Sequence, residues 1–521
     1  MNTPPPNAAH DESQPGVAPI LPQKSIIART AHGAGWIIAW RLATRIIGLC
    51  STLVLVRLLS PADFGIVSLA TGILTGLDAV AGFGVEGAII RADRADRVIL
   101  DSGFTINVIR GLTTSLILAA AAVPLSRFFN NAHLVNVIYV LAAGWAVSAF
   151  ENVGMIEYRR QLAFDMEFKI KIIPRLLALA VTIPTAFAWH SYWALVAGIV
   201  STQLMTVSLT YVMHPYRPRF GIAGMRHIFG FSFWEWLIGL TGLIGGRADT
   251  VIIGHLLGAA SVGIYGVGGE IASLPTSEIV SPLCRALFSG FVVAKREGRD
   301  GAQTLLRVLS VLSLLTFPLN MGLSLVAHPV IKIAFGQDWL GAVVLVQVIG
   351  VFGTLSVFSA IGETLFSANA WLGTILSLAA TSTVLRVGLL LVLIPRYGLL
   401  GGALAAAIVG LVQEATYLAM AMRRLHITAR AVIISVLRPS IAVCLMAAVL
   451  YATGLGWTDW DSSNAALGVR LAAAVALGGG VYISAIFTLW VAAGRPNTAE
   501  ADALMMAATL ARRVLRRLPG H

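Results

Sequence analysis

Apolar residues along this chain do not alternate, and they do not form short amphipathic stripes. They run in stretches of about 20 residues separated by brief polar breaks, the length a helix needs to cross a bilayer core. A spanning β-barrel would instead show alternating segments of roughly ten residues. On this criterion about fourteen spans are expected. They fall near 35–58, 64–86, 102–125, 133–154, 170–189, 192–213, 231–254, 262–285, 304–327, 340–365, 371–394, 398–421, 431–453 and 466–491. The second and eighth are rich in Gly and Pro and are read as the most irregular.

One pattern occurs twice. VRLLSPADFGIVSL at 56–69 and GHLLGAASVGIYGV at 254–267 align without gaps, with Leu58/Leu256, Leu59/Leu257, Ala62/Ala260, Gly65/Gly263 and Ile66/Ile264 identical. Each copy joins an odd span to the following even one, spans 1–2 and spans 7–8. The repeat predicts two parallel six-helix halves related by an axis along the membrane normal. Pro61 suits the start of a helix, and Gly65 and Gly263 are read as letting the chain turn tightly.

Composition agrees. Of 521 residues, 57% are hydrophobic and 12% charged, against about 25% charged in soluble domains, and the mean hydropathy is +0.82. The net charge of +12 is read as topology, not nucleic-acid binding. Basic residues gather in the loops after spans 2 (Arg91, Arg94, Arg97), 4 (Arg159, Arg160, Lys169, Lys171), 6 (Arg217, Arg219, Arg226), 8 (Lys295, Arg296, Arg299) and 12 (Arg423, Arg424, Arg430), and in the tail after span 14. Alternate loops carry only Arg127, Lys332 or Arg396. That asymmetry predicts cytoplasmic termini.

The expected organisation is a polar, Pro-rich tail at 1–33, a first lobe at 34–226, a second at 227–426, two extra spans within 427–494 and a basic amphipathic helix at 495–521. The last begins with an Asn497/Glu500 capping pattern, ends in arginines and suits the anionic inner leaflet. Cys50, Cys284 and Cys444 all lie in apolar runs and suggest no disulfide framework.

Ionisable side chains inside spans are candidates for function because burying them costs about 2.5–3.5 kcal/mol on insertion scales. Arg41 and Arg45 share one face of span 1, with Arg45 roughly 15 Å deep. Arg110, Arg247, Arg386 and Arg438 add further cations. The deep acids are Asp78, Glu270, Glu278 and Glu414, while Glu86, Glu151, Glu235 and Glu363 lie nearer the cytoplasmic ends. Structural pairing, such as Arg45 with Asp78, would neutralise some of these. The excess of guanidinium groups, whose planar fork fits phosphate, favours an anionic substrate. Arg41, Arg45, Arg110, Arg247 and Arg386 are therefore the substrate-binding candidates. Asp78, Glu270 and Glu414 are the ion-coupling candidates.

Other signals are discounted. GFGVEG at 82–87 fits G-x-G-x-x-G but has no preceding strand. Gly242 and Gly246 read as a helix-packing pair. No metal-ligand spacing and no phosphate-binding loop occur, so neither a metal, another cofactor nor ATP hydrolysis is expected. Tyr158, Tyr192, Trp193 and Trp339, at span ends, are read as interfacial aromatics.

LVLVRLLSPADFGIVSLATGI, followed by GFGVEGAIIR and a charged loop, resembles the start of bacterial polysaccharide transporters. These are the Wzx-type lipid-linked oligosaccharide flippases of the multidrug/oligosaccharidyl-lipid/polysaccharide exporter superfamily. The resemblance runs from about Leu55 to Arg91, and the span pattern extends it along the chain. It implies an all-α polytopic protein of two rocking lobes. It also implies an undecaprenyl-diphosphate-linked oligosaccharide as substrate, with membrane lipids and polysaccharide polymerase or chain-length proteins as partners. Three alternatives stay open: a multidrug antiporter of that superfamily, a peptidoglycan-precursor flippase and a polyprenyl-sugar transferase. Short outer loops speak against the transferase.

Overall fold

The computed structural model describes residues 40, 43–81, 89, 96–160, 163–225, 245–284, 287, 301–369, 371–460 and 464–495. Arg41, Glu86, Glu235, Gly242, the 82–87 stretch and the terminal segments 1–33 and 496–521 lie outside the described residues. Regular secondary structure among the described residues is helical throughout.

The first half of the chain contributes α1 (43–58), α2 (Pro61–Ala81), α3 (Arg97–Phe128), α4 (His133–Ser148), the short α5 (Ile156–Arg160), α6 (Phe164–Trp189) and α7 (Trp193–Met213). The second half contributes α8 (245–257), α9 (Ala259–Pro275), α10 (Gly301–Leu325), α11 (Ala327–Ala334), α12 (Ala342–Gly353), α13 (Ser356–Ala368), α14 (Leu372–Tyr397) and α15 (Leu399–Leu425). Helices α16 (Ala429–Ala452) and α17 (Asn464–Ala492) follow and pack together. Among the described residues nine helices are long and apolar enough to cross a membrane, ten if the bent pair α12–α13 is one span. Their outer faces carry large bare side chains such as Leu116, Val212 and Val384, as lipid contact requires.

Local chemistry explains the breaks. Pro61 opens α2. Ser60 just before it and Asp63 just after it bond reciprocally: the Ser60 N–H donates to Asp63 Oδ2 at 3.0 Å and the Asp63 N–H to Ser60 Oγ at 3.3 Å, a capping box with Asp in the usual Glu place. The span expected at 340–365 is two helices bent by 56°. Hydroxyls at the bend turn back on the chain, Thr354 Oγ1 to the Val351 carbonyl at 2.6 Å and Ser356 Oγ to that of Gly353 at 2.7 Å, a habit that bends helices. The irregularity expected in span 8 is a π-helical turn, Thr276–Val280, directly after Pro275. No such irregularity appears in α2, a regular helix through Ala81.

Two large apolar cores form. One joins α2, α3, α4 and α7 to Ile253 and Val262. The other joins α10, α13, α15, α16 and α17. A third, at the motif-bearing ends, centres on Trp339. This residue was read as an interfacial aromatic. It is buried instead, donates from Nε1 to the Val56 carbonyl at 3.2 Å and meets Phe64 edge-on at 5.3 Å.

Candidate functional site: a seam between the two halves

The duplicated motif packs on its own other copy. Helices α2 and α9 run along one another. A methyl group built on Gly65 would collide with the Ala259 carbonyl, and one on Gly263 with the Pro61 carbonyl. Pro61 and Ala259 are equivalent positions of the motif, as are Gly65 and Gly263. The contact is thus reciprocal, as in a two-fold interface. This corrects the role read for the glycines. Neither has positive φ; both are bare so that backbones can touch, and the left-handed position is Gly258.

A second reciprocal pair flanks the first. Arg57 of α1 donates from Nε to the Ala334 carbonyl at 3.1 Å and from Nη2 to that of Ile333, at the carbonyl end of α11. The motif equivalent of Arg57 is His255 of α8. It donates from Nδ1 to the Phe128 carbonyl at 2.8 Å, at the end of α3, and stacks on the Phe128 ring with centroids 4.1 Å apart. Each side chain therefore reaches from its own half to a helix C-terminus of the other half, where carbonyls lack intrahelical donors.

Further along the seam stand the charged candidates. Arg45 lies about 18 Å along α1 from Arg57. It crosses to the second half, with Nη1 3.3 Å from Glu270 Oε1 and Nε 3.0 Å from Glu278 Oε1. The pairing with Asp78 considered above does not occur. Asp78 meets Arg110 at 3.5 Å within the first half. Arg247 is exposed and, with Ser68, Thr71, Thr250 and Tyr265, lines a cavity of about 150 Å³ between α2, α8 and α9.

Arg386 is held elsewhere. Its Nε donates to Asp249 Oδ1 at 2.8 Å and its Nη2 to Asp249 Oδ2, which also accepts from the Tyr265 hydroxyl at 2.9 Å. Asp249 is buried and was missed in the sequence, though an acid two residues after Arg247 inside an apolar run was the available signal. Glu414 of α15, also buried, accepts from the Ser359 N–H at 2.5 Å and hydroxyl at 2.9 Å. It thereby satisfies the first turn of α13 beyond the bend.

A family model described as "Polysaccharide biosynthesis protein" matches residues 54–344, more than half of the chain, including both motif copies and Glu270 and Glu278. The chain belongs to this family. Among curated relatives of this family member, TuaB of Bacillus subtilis (strain 168), a teichuronic acid biosynthesis protein, is 26% identical over 53% of the chain and 58% of its own length. The lipopolysaccharide biosynthesis protein WzxC of Escherichia coli (strain K12) is 23% identical over 66% of the chain and 71% of its own. The succinoglycan biosynthesis transport protein ExoT of Rhizobium meliloti (strain 1021) is 24% identical over 59% and 63%. The chain thus spans about six tenths of the length of TuaB.

In fold the family member is similar to the lipid II flippase MurJ in an inward closed conformation, with TM-score 0.67 and 16% identity over 88% of this chain and 100% of that one. It is also similar to an inward-facing multidrug transporter of the MATE family, with TM-score 0.57 and 18% identity over 73% and 94%. The fold is that of these multi-pass membrane proteins.

Proposed function

We propose that this protein is a flippase that moves undecaprenyl-diphosphate-linked oligosaccharide repeat units across the bacterial inner membrane by alternating access, for exopolysaccharide, capsule or O-antigen assembly. Its lobes are residues 34–226 and 227–426, both termini are cytoplasmic, and the motif end of the seam faces outward. It is a transporter without enzymatic chemistry.

The observation that carries this reading is the seam. At one end the halves are closed by backbone contact and two reciprocal caps. Behind that closure stand Arg45 and Arg247, which suit a diphosphate or sugar acid. The sugars and diphosphate occupy the polar seam while the polyprenyl tail stays in lipid. Binding energy that differs between inward- and outward-open forms shifts their equilibrium. Names of relatives in teichuronic acid, lipopolysaccharide and succinoglycan biosynthesis support a polymer precursor as cargo. A multidrug antiporter is disfavoured by the arginines in the seam.

The test is a chromosomal deletion, complemented by the unaltered gene or by Arg45→Ala, with chemical analysis of lipid-linked sugars. Polymer should disappear and undecaprenyl-linked repeat units accumulate on the cytoplasmic side. At normal protein level, Arg45→Ala should restore no more than about a tenth of the polymer, since a charge-assisted contact contributes about 1.5–3 kcal/mol. Unchanged polymer with raised drug sensitivity would refute the reading.

A further inference from the structure

Two carboxylates converge on Arg45, and they come from the lobe opposite to it. Glu270 and Glu278 are eight residues apart, which on a regular helix turns them about 80° away from each other. Glu278 itself sits inside the π-helical turn Thr276–Val280. The wider winding of a π-turn rotates Glu278 back toward the face that carries Glu270, and both carboxylates reach Arg45. Ser277 steadies the second carboxylate, its hydroxyl donating to Glu278 Oε1 at 3.2 Å. Both carboxylates stay half-exposed, so they are reachable from the seam rather than sealed in a core.

We propose that Glu270 and Glu278 are selectivity residues: competing anions that occupy Arg45 until a ligand with more than one negative charge displaces them. This inference rests on the flippase reading above. Its physical motive is the composition of a membrane. An arginine open to the bilayer would be occupied by ordinary phospholipid phosphodiesters, which carry one charge and vastly outnumber any carrier lipid. Holding the guanidinium with two carboxylates sets a threshold. A monoanion offers less than what it replaces, whereas a diphosphate offers more charge and more acceptor oxygens to the same fork. Discrimination is thereby built by opposing the wrong ligand, not only by attracting the right one. Because Arg45 belongs to the first lobe and both acids to the second, displacement also severs an interlobe tie at the moment of binding.

The experiment uses the purified full chain in nanodiscs containing phosphatidylglycerol. Undecaprenyl diphosphate and the methyl ester of undecaprenyl monophosphate, a phosphodiester of one charge like phosphatidylglycerol, serve as probes, and bound lipid is read by native mass spectrometry. The unaltered protein should favour the diphosphate. Glu270→Gln/Glu278→Gln should keep diphosphate binding, gain methyl-ester and phosphatidylglycerol binding, and lower the diphosphate-to-methyl-ester preference by about tenfold, the size of one close charge contact. The single Glu278→Gln change should lower it part of the way and guards against a double variant that folds poorly, judged by its thermal midpoint. An unchanged or increased preference overturns the inference. So does a loss of diphosphate affinity in the Gln variants, which would make the acids direct ligands. If the unaltered protein binds neither probe, the flippase reading itself fails, and this inference with it.

Discussion

Arg386 and Asp249 show why depth alone does not define a transport residue. Both sit inside apolar helices, yet they neutralise each other through a two-pronged contact shared with Tyr265. Removing one partner leaves the other charge uncompensated, which costs about 3–5 kcal/mol for a buried pair. Asp249→Asn or Arg386→Ala should therefore sharply lower the thermal midpoint of the purified protein. Replacing both with Leu should recover most of that loss. A double-variant loss equal to the sum of the two single losses would show that the pair is not coupled. Glycines separate in the same way. Gly65→Val forces a side chain into the Ala259 carbonyl, whereas Gly76 has open space around it. Polymer synthesis should be lost with Gly65→Val and kept with Gly76→Ala at matched protein levels. The sequence pointed to Gly65 through the repeat, but with the wrong reason. Backbone contact between two distant helices is invisible until they are packed, and a turn is the commoner use of glycine.

Helix positions were largely legible because hydrophobic length dominates the signal. The 56° bend between α12 and α13 was not, since hydroxyls such as Thr354 and Ser356 sit equally well in straight helices. Partner choice was not legible either. Arg45 could have reached Asp78, and only the approach of α9 and the π-turn after it gives it Glu270 and Glu278 instead. Arg57 and His255 were overlooked because each acts on carbonyls of the opposite half, and carbonyls leave no mark in a sequence. Their geometry gives a direct expectation for the seam. With Ser68→Cys placed in the cavity behind it, in a background lacking the three native cysteines, Arg57→Ala and His255→Ala should each raise labelling by an impermeant maleimide added from outside. The two together should raise it further, and no change in either would refute a closing role.

At the opposite ends of the first-half helices, the segment after α7 is buttoned to α3. Asp101 accepts from the Arg219 N–H at 2.9 Å and from the Tyr216 hydroxyl, and Ser102 accepts from the Gly224 N–H at 2.9 Å. His214 Nδ1 accepts from the Tyr216 N–H at 3.2 Å, which requires the neutral ring. Burial lowers its pKa from the usual 6.5, Glu157 opposes that shift and Arg217 adds to it. The unfolded segment then binds the proton more readily than the folded one, so His214 contributes stability that is full above pH 6.5 and is lost as pH falls through the lowered value. Amide exchange over residues 214–225, corrected for intrinsic rate, should quicken on acidification, and His214→Gln should flatten that response.

Taken whole, the molecule repeats its packing but not its charges. Motif equivalents act alike across the seam: Gly65 and Gly263 admit backbone contact, and Arg57 and His255 each bond the end of a helix in the other half. Shifted by the same 198 positions, however, Arg45 corresponds to Leu243, Glu270 to Gly72 and Arg247 to Leu49. In the proposed transport cycle, symmetric packing lets inward- and outward-open forms exchange, and asymmetric charge gives the cargo one side to hold. The proposed substrate is legible only as far as an anion, because arginines report charge and not sugar. The most direct measurement is translocation of a fluorescent undecaprenyl-diphosphate-linked oligosaccharide in proteoliposomes holding the purified chain. Flipping that needs this protein, exceeds that of the monophosphate analogue and collapses in Arg45→Ala is the predicted result. Rates equal to those of protein-free vesicles, or untouched by Arg45→Ala, would contradict the account.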